Sequence, residues 1–461
     1  MELNTPIFLF LFLPVFMLVY HLASYRGRLI VGVLGSLLFY SWGNLPYVPL
    51  LVGVTLAAHG LGRRLDASEG HRRSSRWLWA GLLGGIALIV GFKLATGLPY
   101  PLGLSYLTFQ AMSYLLEVYG KRIDAEPDLL RFSFYLMLFP KIPVGPIVRY
   151  SSVRQQIGDL KTEPGEVAAG LRRFIRGLAK KVLIADTLAR VVDPIFKLSA
   201  PLIPPAWAWL VLVSFALQLF FDFAGYSDMA IGLGRMLGLT FQENFNFPYL
   251  STSIGDFWRR WHISLSTWFR DFVFYPLERR RLKWIGRPLN TLIVFVLVGL
   301  WHGLAATFVL WGLLHGLALV FESTPAGRRL TTRWAPLSRV YALAVILAGW
   351  VFFRAPTVQF ALSFFQRLTG YTVGVVPLPF ESTMPLPFVE PTFVMALVAG
   401  LILCFPVGQA LERLRIRLIG ERPILRFSSQ LLYDAGLLAT LTVSLAAMAA
   451  SNFAPGIYGK F

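Results

Sequence analysis

The chain has 461 residues, of which 56% are hydrophobic and only 15% are charged. This composition excludes an ordinary soluble protein and indicates a protein that crosses a membrane several times. The net charge of +19 is a reason to consider nucleic acid. However, the lysines and arginines lie in short loops between apolar runs, as the positive-inside rule produces. We therefore expect the basic residues to contact anionic membrane lipids and no nucleic acid.

The chain contains one cysteine, Cys404, within an apolar run. One cysteine can form no intrachain disulfide and no cysteine-based zinc site. The residue is therefore predicted to be a small buried apolar side chain. Neither a metal site nor a resident cofactor is predicted.

Ten apolar runs are long enough, or nearly long enough, to cross a bilayer. They lie roughly at 6–22, 29–43, 46–61, 78–97, 102–119, 206–226, 289–321, 340–354, 391–410 and 430–450. Prolines or charges interrupt two further runs, 130–147 and 179–197, which are typical of half-spans or interfacial helices. The pattern predicts an all-α polytopic membrane protein with about eleven crossings. No internal repeat is visible, and one membrane domain over residues 1–461 is expected.

The loop charges predict an orientation. Basic clusters at 26–28, 63–76 and 121–122 follow the first, third and fifth runs, whereas the turns at 43–47 and 97–101 carry no Lys or Arg. Basic loops remain in the cytoplasm. We therefore expect the N-terminus to lie outside and the basic loops to lie in the cytoplasm.

A stretch that follows one membrane run, FFDFAGYSDMAIGLGRMLG at 220–238, contains two carboxylates. Asp222 and Asp228 are six residues apart, which places them on different faces of a helix and predicts no paired acid and base. No strand precedes GLGRMLG, so it is not a nucleotide-binding fingerprint. Gly225, Gly232 and Gly234 are expected to allow close helix packing. The preceding basic segment, 148–181, is predicted to include an amphipathic helix at the cytoplasmic headgroups.

Arginine and tryptophan alternate over 251–290, which is typical of a membrane interface. The apolar run 289–321 follows, and the basic residues 328–333 come after it, so both ends of the run are expected on the cytoplasmic side. Its 33 residues make about 50 Å of helix, which is too short for two full crossings and longer than one requires. Either a broken, re-entrant pair of helices or one steeply tilted helix fits these facts.

Two histidines lie inside this apolar run. An imidazole in hydrocarbon is costly, so each is a functional candidate. His302 follows Trp301 and lies between Gly299 and Gly303, whose small size allows a ligand or backbone to approach. A neutral imidazole can remove a proton from a hydroxyl nucleophile, and a structural role is the alternative. His315 comes thirteen residues later, on a different face if the helix is continuous, and a helix-packing role is equally open for it.

Several longer stretches resemble one family. They are PLGLSYLTFQAMSYLLEVYGKR (101–122), LFPKIPVGPIVRY (138–150), the segment 217–277 with QENFNFPYLSTSIGDFWRRWHISLS, GLWHGLAATFVLWGLLHG (299–316) and GWVFFRA (349–355). In this order, they resemble the membrane-bound O-acyltransferases, within them the bacterial alginate O-acetyltransferase-like branch. The resemblance covers most of the chain and implies membrane helices, re-entrant or interfacial helices and a central tunnel, with a core at about 100–355.

The resemblance also implies an activity. An acetyl group would pass from a cytosolic thioester, acetyl-CoA or another acyl thioester, to a hydroxyl of an exported polysaccharide such as alginate or cellulose. The transfer would be direct or would use a periplasmic relay acetyltransferase, so that protein and polysaccharide-synthesis proteins are expected partners. Acetyl-CoA would be a substrate and not a cofactor.

The same resemblance assigns roles to residues of this chain. His302 matches the family's essential histidine and would be the general base. His262 matches a second polar position about forty residues earlier, and it would hydrogen-bond the thioester carbonyl or orient the donor. Arg259 and Arg260 would attract the donor's phosphates or anchor the chain at the interface. The candidate substrate-binding residues are Asp222, Tyr226, Ser227, Asp228, Trp258, Arg259, Trp301 and His315.

Two other functions remain open from the sequence. One is the transfer of D-alanine to teichoic acid from a carrier-protein thioester, as in a sister branch of the family. The other is a transporter or lipid flippase, which also uses polar groups and broken helices at mid-membrane. A transporter predicts substrate movement without covalent transfer.

Overall fold

A computed structural model describes residues 1–68, 71–95, 97–279, 286–370, 389–420 and 422–450. Helices dominate these residues, and no β-strand occurs among them, which confirms the all-α prediction. The described chain forms two compact units. The first contains Met1–Leu178 and Gly225–Glu243, and the second contains Ala179–Ala224 and the described residues from Asn244 onward. A single membrane domain remains a prediction.

The first unit contains eight helices of its own within the described ranges. They are α1 (Leu13–Leu22), α2 (Tyr25–Asn44), α3 (Val48–Asp66), α4 (His71–Leu94), α5 (Leu104–Tyr119), α6 (Leu129–Met137), α7 (Tyr150–Gly158) and α8 (Pro164–Ala179). A π-helical turn, Phe8–Phe12, leads into α1. The backbone breaks near the end of α2 at Gly43, whose φ of +92° lies in the left-handed region that glycine tolerates.

The other helices follow in chain order. They are α9 (Asp186–Ile195), α10 (Pro205–Met236), α11 (Ile254–Arg260), α12 (Ile263–Phe269), α13 (Tyr275–Arg279), α14 (Arg287–His302), α15 (Ala306–Ser323), α16 (Pro325–Arg333), α17 (Ala335–Arg354), α18 (Val358–Leu368), α19 (Pro391–Leu403), α20 (Val407–Ile419) and α21 (Pro423–Ala450). All belong to the second unit, except that α10 continues into the first.

The amphipathic helix predicted within 148–181 is confirmed as α8. The glycine prediction holds for Gly225 and Gly232, which contact α8, but not for Gly234, where a Cβ would meet the ring of Phe241. A Cβ atom added to Gly170 would lie 2.5 Å from the carbonyl oxygen of Gly232, and one added to Gly177 would lie 2.6 Å from that of Gly225. Real Cβ atoms do not approach this closely. The two helices therefore pack backbone against backbone inside the first unit.

The apolar run 289–321 is broken, so the prediction of one steeply tilted helix is wrong. It forms α14 and α15, separated by residues 303–305, which fold back on each other as a helical hairpin. Glycines allow the two helices to approach: a Cβ on Gly299 would lie 2.4 Å from the Phe308 oxygen, and one on Gly312 would lie 2.2 Å from the Phe295 oxygen. At 1.5 Å per residue the two helices are about 24 and 27 Å long.

Six helical stretches in the described ranges are long and apolar enough to cross a membrane, or seven if the bent pair α19 and α20 counts as one span. The first of the six, Tyr25–Asp66, includes the break at Gly43. Phe8–Leu22 and α14 are shorter apolar helices. Leucines on α19 and α21 are exposed, as in helices that face lipid. Several helices are therefore long and apolar enough to span a membrane, and the count of about eleven stays a prediction.

The two interrupted runs are short, irregular helices. In the first, α6 is followed by a 3₁₀ turn, Phe139–Lys141. In the second, a π-helical segment, Lys180–Ala185, leads into α9, which has Pro194 in its last turn. Proline removes a backbone donor, so neither run forms one continuous helix across a bilayer.

Candidate functional site

His302 is the last residue of α14 and lies at the tip of the hairpin. The helix ends there because Gly303 adopts an extended backbone, and a Cβ at Gly303 would lie 2.4 Å from the ring of Phe308. The imidazole is buried, with 4% of the residue exposed. Its ring centroid lies 5.0 Å from those of both Trp311 and Phe353, which meet it edge-on. Aromatic rings from α15 and α17 therefore hold the His302 ring in place.

His262 lies in a different setting, a segment that we call the polar turn: residues 260–264 together with Asn244. Two backbone hydrogen bonds close it. The Asn246 N–H donates to the Arg260 oxygen at 2.9 Å, and the Ile263 N–H donates to the Asn244 oxygen at 3.0 Å. These bonds hold the chain between α10 and α11 against the junction of α11 and α12.

The His262 backbone is itself strained. Its φ of +43° and ψ of +54° lie in the left-handed region, which costs a residue other than glycine on the order of 1–3 kcal/mol. The side chain is buried, and its Nδ1 lies 3.2 Å from the Asn244 Oδ1. Burial lowers the pKa of His262 to about 3, so the ring is neutral at physiological pH. Strain of this kind is typical of functional sites.

One indole connects the two histidines. The Trp301 ring centroid lies 4.6 Å from that of His302 and 6.1 Å from that of His262. Imidazoles that are forty residues apart in the sequence thus contact one side chain. The structure brings His262, Trp301 and His302 together as the sequence predicted.

His315 and Trp258 extend this group along the hairpin. His315 is fully buried, and its ring centroid lies 5.5 Å from that of Trp258 and 5.4 Å from that of Trp311, which also contacts His302. A Cβ on Gly349 would lie 2.7 Å from the His315 Nε2, so α17 approaches through a glycine. Neither ring nitrogen has a hydrogen-bond partner within the described residues. The environment of His315 is aromatic packing.

Asp222 forms a buried ion pair. Its Oδ1 lies 3.0 Å from the Nζ of Lys181, and the same ammonium group also binds Asp186. The next residue, Phe223, meets the His262 ring edge-on, with centroids 4.6 Å apart. Asp222 thus fixes the helix beside the polar turn. Its role in substrate binding stays a prediction.

Tyr226, Ser227 and Asp228 belong to the first unit. The Tyr226 hydroxyl donates to the Glu2 carboxylate at 2.8 Å, and Asp228 accepts from the Arg173 guanidinium at 2.8 Å. Ser227 is buried. The expectation that Asp222 and Asp228 form no acid–base pair is consistent with these separate cationic partners.

A cleft of about 750 Å³ lies inside the second unit, lined by α11, α12, the following π-helical turn, α14, α15 and α16. Its lining includes four arginines, Arg259, Arg270, Arg287 and Arg328. Aromatic and aliphatic side chains cover most of the rest, among them Trp258, Phe269, Phe274, Val294, Phe295 and Val298, and four hydroxyl residues complete the lining, Ser266, Thr267, Thr291 and Ser323. The cleft suits an elongated ligand with an anionic end and an apolar or neutral arm.

The cleft follows one face of α14 from its first residue almost to its last. Arg287 and Val298 both line it, and eleven residues of helix rise about 16 Å. Val298 lies one helical turn before His302, on the same face. Ile263, next to His262, also lines the cleft. The cleft therefore runs from the open end of the hairpin to within one helical turn of His302, and it also reaches the residue that follows His262.

Contacts at the start of α11 fix the position of this helix, and Trp258 and Arg259 near its end line the cleft. The Ser253 hydroxyl caps the helix by accepting from the Asp256 N–H at 2.9 Å. The Glu322 carboxylate of α15 accepts from the backbone N–H groups of Ile254 and Gly255. Arg259 binds Asp256 at 3.3 Å and remains largely exposed at the mouth of the cleft.

Several residues of the site were not predicted. Asn244 and Lys181 act through contacts with His262 and Asp222, far away in the sequence, and Trp311 and Phe353 surround His302 only after the hairpin folds. Asn244 lies within a stretch that carries the family resemblance, but its residue type alone gives no sign of a histidine partner.

Comparison with known families decides the class of this protein. Residues 74–365 match the membrane-bound O-acyltransferase (MBOAT) family. The chain belongs to the MBOAT family. This MBOAT chain is 36% identical over 393 residues to the probable alginate O-acetylase AlgI of Pseudomonas aeruginosa, covering 80% of this chain and 75% of the relative.

Two further relatives carry different names. The peptidoglycan O-acetyltransferase of Helicobacter pylori is 32% identical over 419 residues, covering 80% of this chain and 79% of the relative. The teichoic acid D-alanyltransferase of Bacillus subtilis is 34% identical over 217 residues, covering 44% of this chain and 54% of the relative. This MBOAT protein is thus a multi-pass membrane O-acyltransferase, and a transporter or flippase no longer explains it.

Proposed function

We propose that this chain transfers an acetyl group from cytosolic acetyl-CoA to a hydroxyl of an exported polysaccharide, directly or through a periplasmic relay acetyltransferase. The relatives named as alginate and peptidoglycan O-acetyltransferases each match four fifths of the chain and support a polysaccharide acceptor. The central tunnel and the location in a bacterial inner membrane are part of the proposal.

The observation that carries the proposal is the course of the cleft. Arg287 and Arg328 line it at the open end of the hairpin, and Val298 lines it one turn from His302. Guanidinium groups bind phosphates well, and coenzyme A carries its phosphates at the end of a long neutral arm opposite the thioester. The phosphates would bind the arginines, and the arm would follow α14 toward His302.

The same geometry fits the proposed orientation. Basic residues at both open ends of the hairpin, Arg287 and Arg328, place that end in the cytoplasm under the positive-inside rule. Each helix is nearly as long as the hydrocarbon core, about 30 Å, is thick. The turn at 303–305, and His302 beside it, would then lie toward the periplasm. The thioester would arrive from one side and the hydroxyl from the other.

The chemistry follows from an imidazole base. His302 accepts the proton of the acceptor hydroxyl while the oxygen attacks the thioester carbonyl carbon. A carbon–oxygen bond forms, the carbon–sulfur bond breaks, and the thiolate leaves with the proton that His302 held. The products are an O-acetyl ester and free coenzyme A. His262 would assist by orienting the donor or by contacting its carbonyl.

The test uses the bacterium from which the chain comes. A chromosomal His302→Ala variant is expected to export unacetylated polysaccharide, with acetyl content measured by proton NMR. Membrane level and thermal stability of the purified variant are measured as controls, since the replaced ring is packed among aromatic side chains. Normal acetyl content with a folded variant would overturn the proposed function.

The second candidate is D-alanyl transfer to teichoic acid, which the Bacillus subtilis relative supports over less than half of this chain. The two candidates differ in the donor. Purified protein in nanodiscs, supplied with radiolabelled acetyl-CoA or with D-alanyl carrier-protein thioester, is expected to release the thiol only from acetyl-CoA. Turnover of the D-alanyl thioester alone would favour the second candidate.

A further inference from the structure

The Asn244 side chain is the centre of the hydrogen bonds in the polar turn. The residue is buried, with 1% exposed. Its Oδ1 lies 3.2 Å from the His262 Nδ1, 3.2 Å from the Ser264 backbone nitrogen and 2.9 Å from the Ser264 hydroxyl. Three polar groups thus converge on one oxygen.

The identity of that oxygen follows from the chemistry of its neighbours. An amide side chain presents either an oxygen or a nitrogen, and the two are told apart by their hydrogen bonds. The backbone N–H of Ser264 can only donate, so the Asn244 atom that faces it must be the acceptor oxygen. The Asn244 amide therefore has one possible orientation.

The oxygen in turn fixes the imidazole. A ring nitrogen that faces an acceptor at hydrogen-bond distance must carry a hydrogen, so the His262 Nδ1 is the donor. A neutral imidazole has one N–H, which leaves the lone pair on Nε2. The Ser264 hydroxyl lies 3.5 Å from the same Nδ1 but already donates to Asn244 at 2.9 Å.

The backbone prevents the amide from turning away. The Asn244 carbonyl accepts from the Ile263 N–H, so main chain and side chain of one residue bind both sides of His262. The left-handed conformation of His262 is the cost of this arrangement. The contacts of Asn244 with His262, Ile263 and Ser264, together with the left-handed backbone, hold the His262 ring in one orientation.

We propose that Asn244 is a positioning residue that holds His262 as the Nδ1–H tautomer, with Nε2 as the nitrogen that accepts a hydrogen bond or a proton during acyl transfer. The catalytic part of this proposal rests on the proposed function. This tautomer decides between the two roles of His262, which were to hydrogen-bond the thioester carbonyl or to orient the donor. A neutral ring with its lone pair on Nε2 does not donate to a thioester carbonyl from that nitrogen. It orients an N–H or O–H group of the donor or acceptor instead.

The first experiment reads the tautomer without any reaction. Full-length protein with nitrogen-15 histidine is placed in lipid bilayers, and solid-state NMR distinguishes protonated from unprotonated ring nitrogens. The His262→Gln variant identifies the His262 signals among the six histidines. We expect a protonated Nδ1 and a bare Nε2. A hydrogen on Nε2 and none on Nδ1 would overturn the proposal, whatever the activity.

Three variants then test the role of Asn244. Asn244→Leu removes the acceptor, and the ring is expected to shift toward the Nε2–H form. Asn244→Asp keeps an oxygen at the same place and is expected to keep the Nδ1–H form. Ser264→Ala, the matched control, removes a neighbouring donor and leaves the His262 bond, so its tautomer is expected to remain that of the wild type. An unshifted tautomer in Asn244→Leu would contradict the assignment.

Activity separates positioning from mere support of the fold. In Asn244→Leu, kcat for acetyl transfer should fall about 10- to 100-fold, the range typical when a residue that orients a metal-bound histidine is replaced, while KM for acetyl-CoA changes little. Asn244→Asp should recover most of that loss. Equal losses in Asn244→Leu and Asn244→Asp would contradict a positioning role. If the tautomers are as expected but His302→Ala acetylates normally, the proposed function fails while the assignment of the tautomer stands.

Discussion

His262 and His302 present the same ring in two different surroundings. In the polar turn, a hydrogen bond that His262 donates to Asn244 and a left-handed backbone orient the ring. At the hairpin tip, Trp301, Trp311 and Phe353 enclose His302, and glycines bring the helices together. A hydrogen bond selects which nitrogen of a ring carries the proton, whereas aromatic packing selects where the ring lies. The polar turn is thus suited to orienting, and the tip to proton transfer.

This comparison is tested by making the same replacement, histidine by glutamine, at each of the two positions. His302→Gln is expected to lower acetyl transfer by about 10²–10⁴-fold, the usual contribution of a general base. His262→Gln should cost less, since glutamine can still accept a hydrogen bond from an oriented group. Polysaccharide acetyl content and thioester turnover by purified protein measure both.

The third buried histidine serves as the control. His315→Gln is expected to lower transfer less than tenfold, because His315 packs among Phe257, Trp258 and Trp311 away from the hairpin tip. A loss in His315→Gln as large as that in His302→Gln would remove the distinction between the tip and the rest of the hairpin.

The support beneath the polar turn predicts the next largest effect. Lys181→Met leaves the buried carboxylate of Asp222 without its ammonium partner and is expected to destabilise the protein by about 3–5 kcal/mol. Thermal unfolding in detergent measures this change. The exposed pair of Arg415 and Glu412 is the control, since Arg415→Met should change stability by less than about 1 kcal/mol.

The double variant Lys181→Met with Asp222→Asn sharpens this result. Removing both charges should recover part of the lost stability, because no uncompensated charge then remains at Asp222. Wild-type stability in Lys181→Met alone would show that the ion pair does not support the turn.

At the hairpin, close packing is the feature to break. Gly312→Ala places a methyl group against the Phe295 carbonyl oxygen and is expected to destabilise the protein by about 1–3 kcal/mol and to lower activity. Gly436→Ala, on α21, meets no atom within 4 Å and should leave both unchanged. Equal melting temperatures for the two variants would contradict the packing of α14 on α15.

The smallest expected effect concerns the donor. Arg287→Ala and Arg270→Ala should each raise KM for acetyl-CoA about fivefold, since an exposed charge contact contributes on the order of 1 kcal/mol. The exposed Arg339 lies outside the cleft, and Arg339→Ala should leave KM unaltered. Steady-state kinetics at two salt concentrations measure the effect, which should shrink at high salt. A uniform response of all three variants would mean that the cleft does not bind the phosphates.

The hairpin that carries His302 is easier to predict from the sequence than the polar turn that carries His262. An imidazole between glycines in an apolar run is visible in one sequence, so His302 is a candidate from chemistry alone. The sequence does not show whether residues 289–321 form one helix or two. The break lies at the extended backbone of Gly303, which is explained only by Phe308 packing against it in the folded hairpin. The aromatic rings around His302 come from α15 and α17, and no periodicity within one helix predicts such contacts.

The polar turn depended more on resemblance. His262 is a candidate through the family resemblance, and its left-handed backbone has no local sequence signature. Asn244 is eighteen residues away and Lys181 is forty-one residues before Asp222, so both partners are products of tertiary structure. The role of Asp222 in substrate binding stays a prediction, and its ion pair with Lys181 has no local sequence signature.

The proposed orientation of the hairpin is tested most directly by measuring from which side of the membrane a reagent reaches each of its ends. In a Cys404→Ala background, which has no cysteine, Leu304→Cys and Arg287→Cys place single thiols at the turn and at the open end, both on exposed residues. A membrane-impermeant maleimide added to intact spheroplasts should modify Leu304→Cys and not Arg287→Cys. Inverted membrane vesicles should give the opposite pattern. Modification of both positions from the same face would contradict a hairpin that receives a thioester from the cytoplasm and presents His302 toward the periplasm.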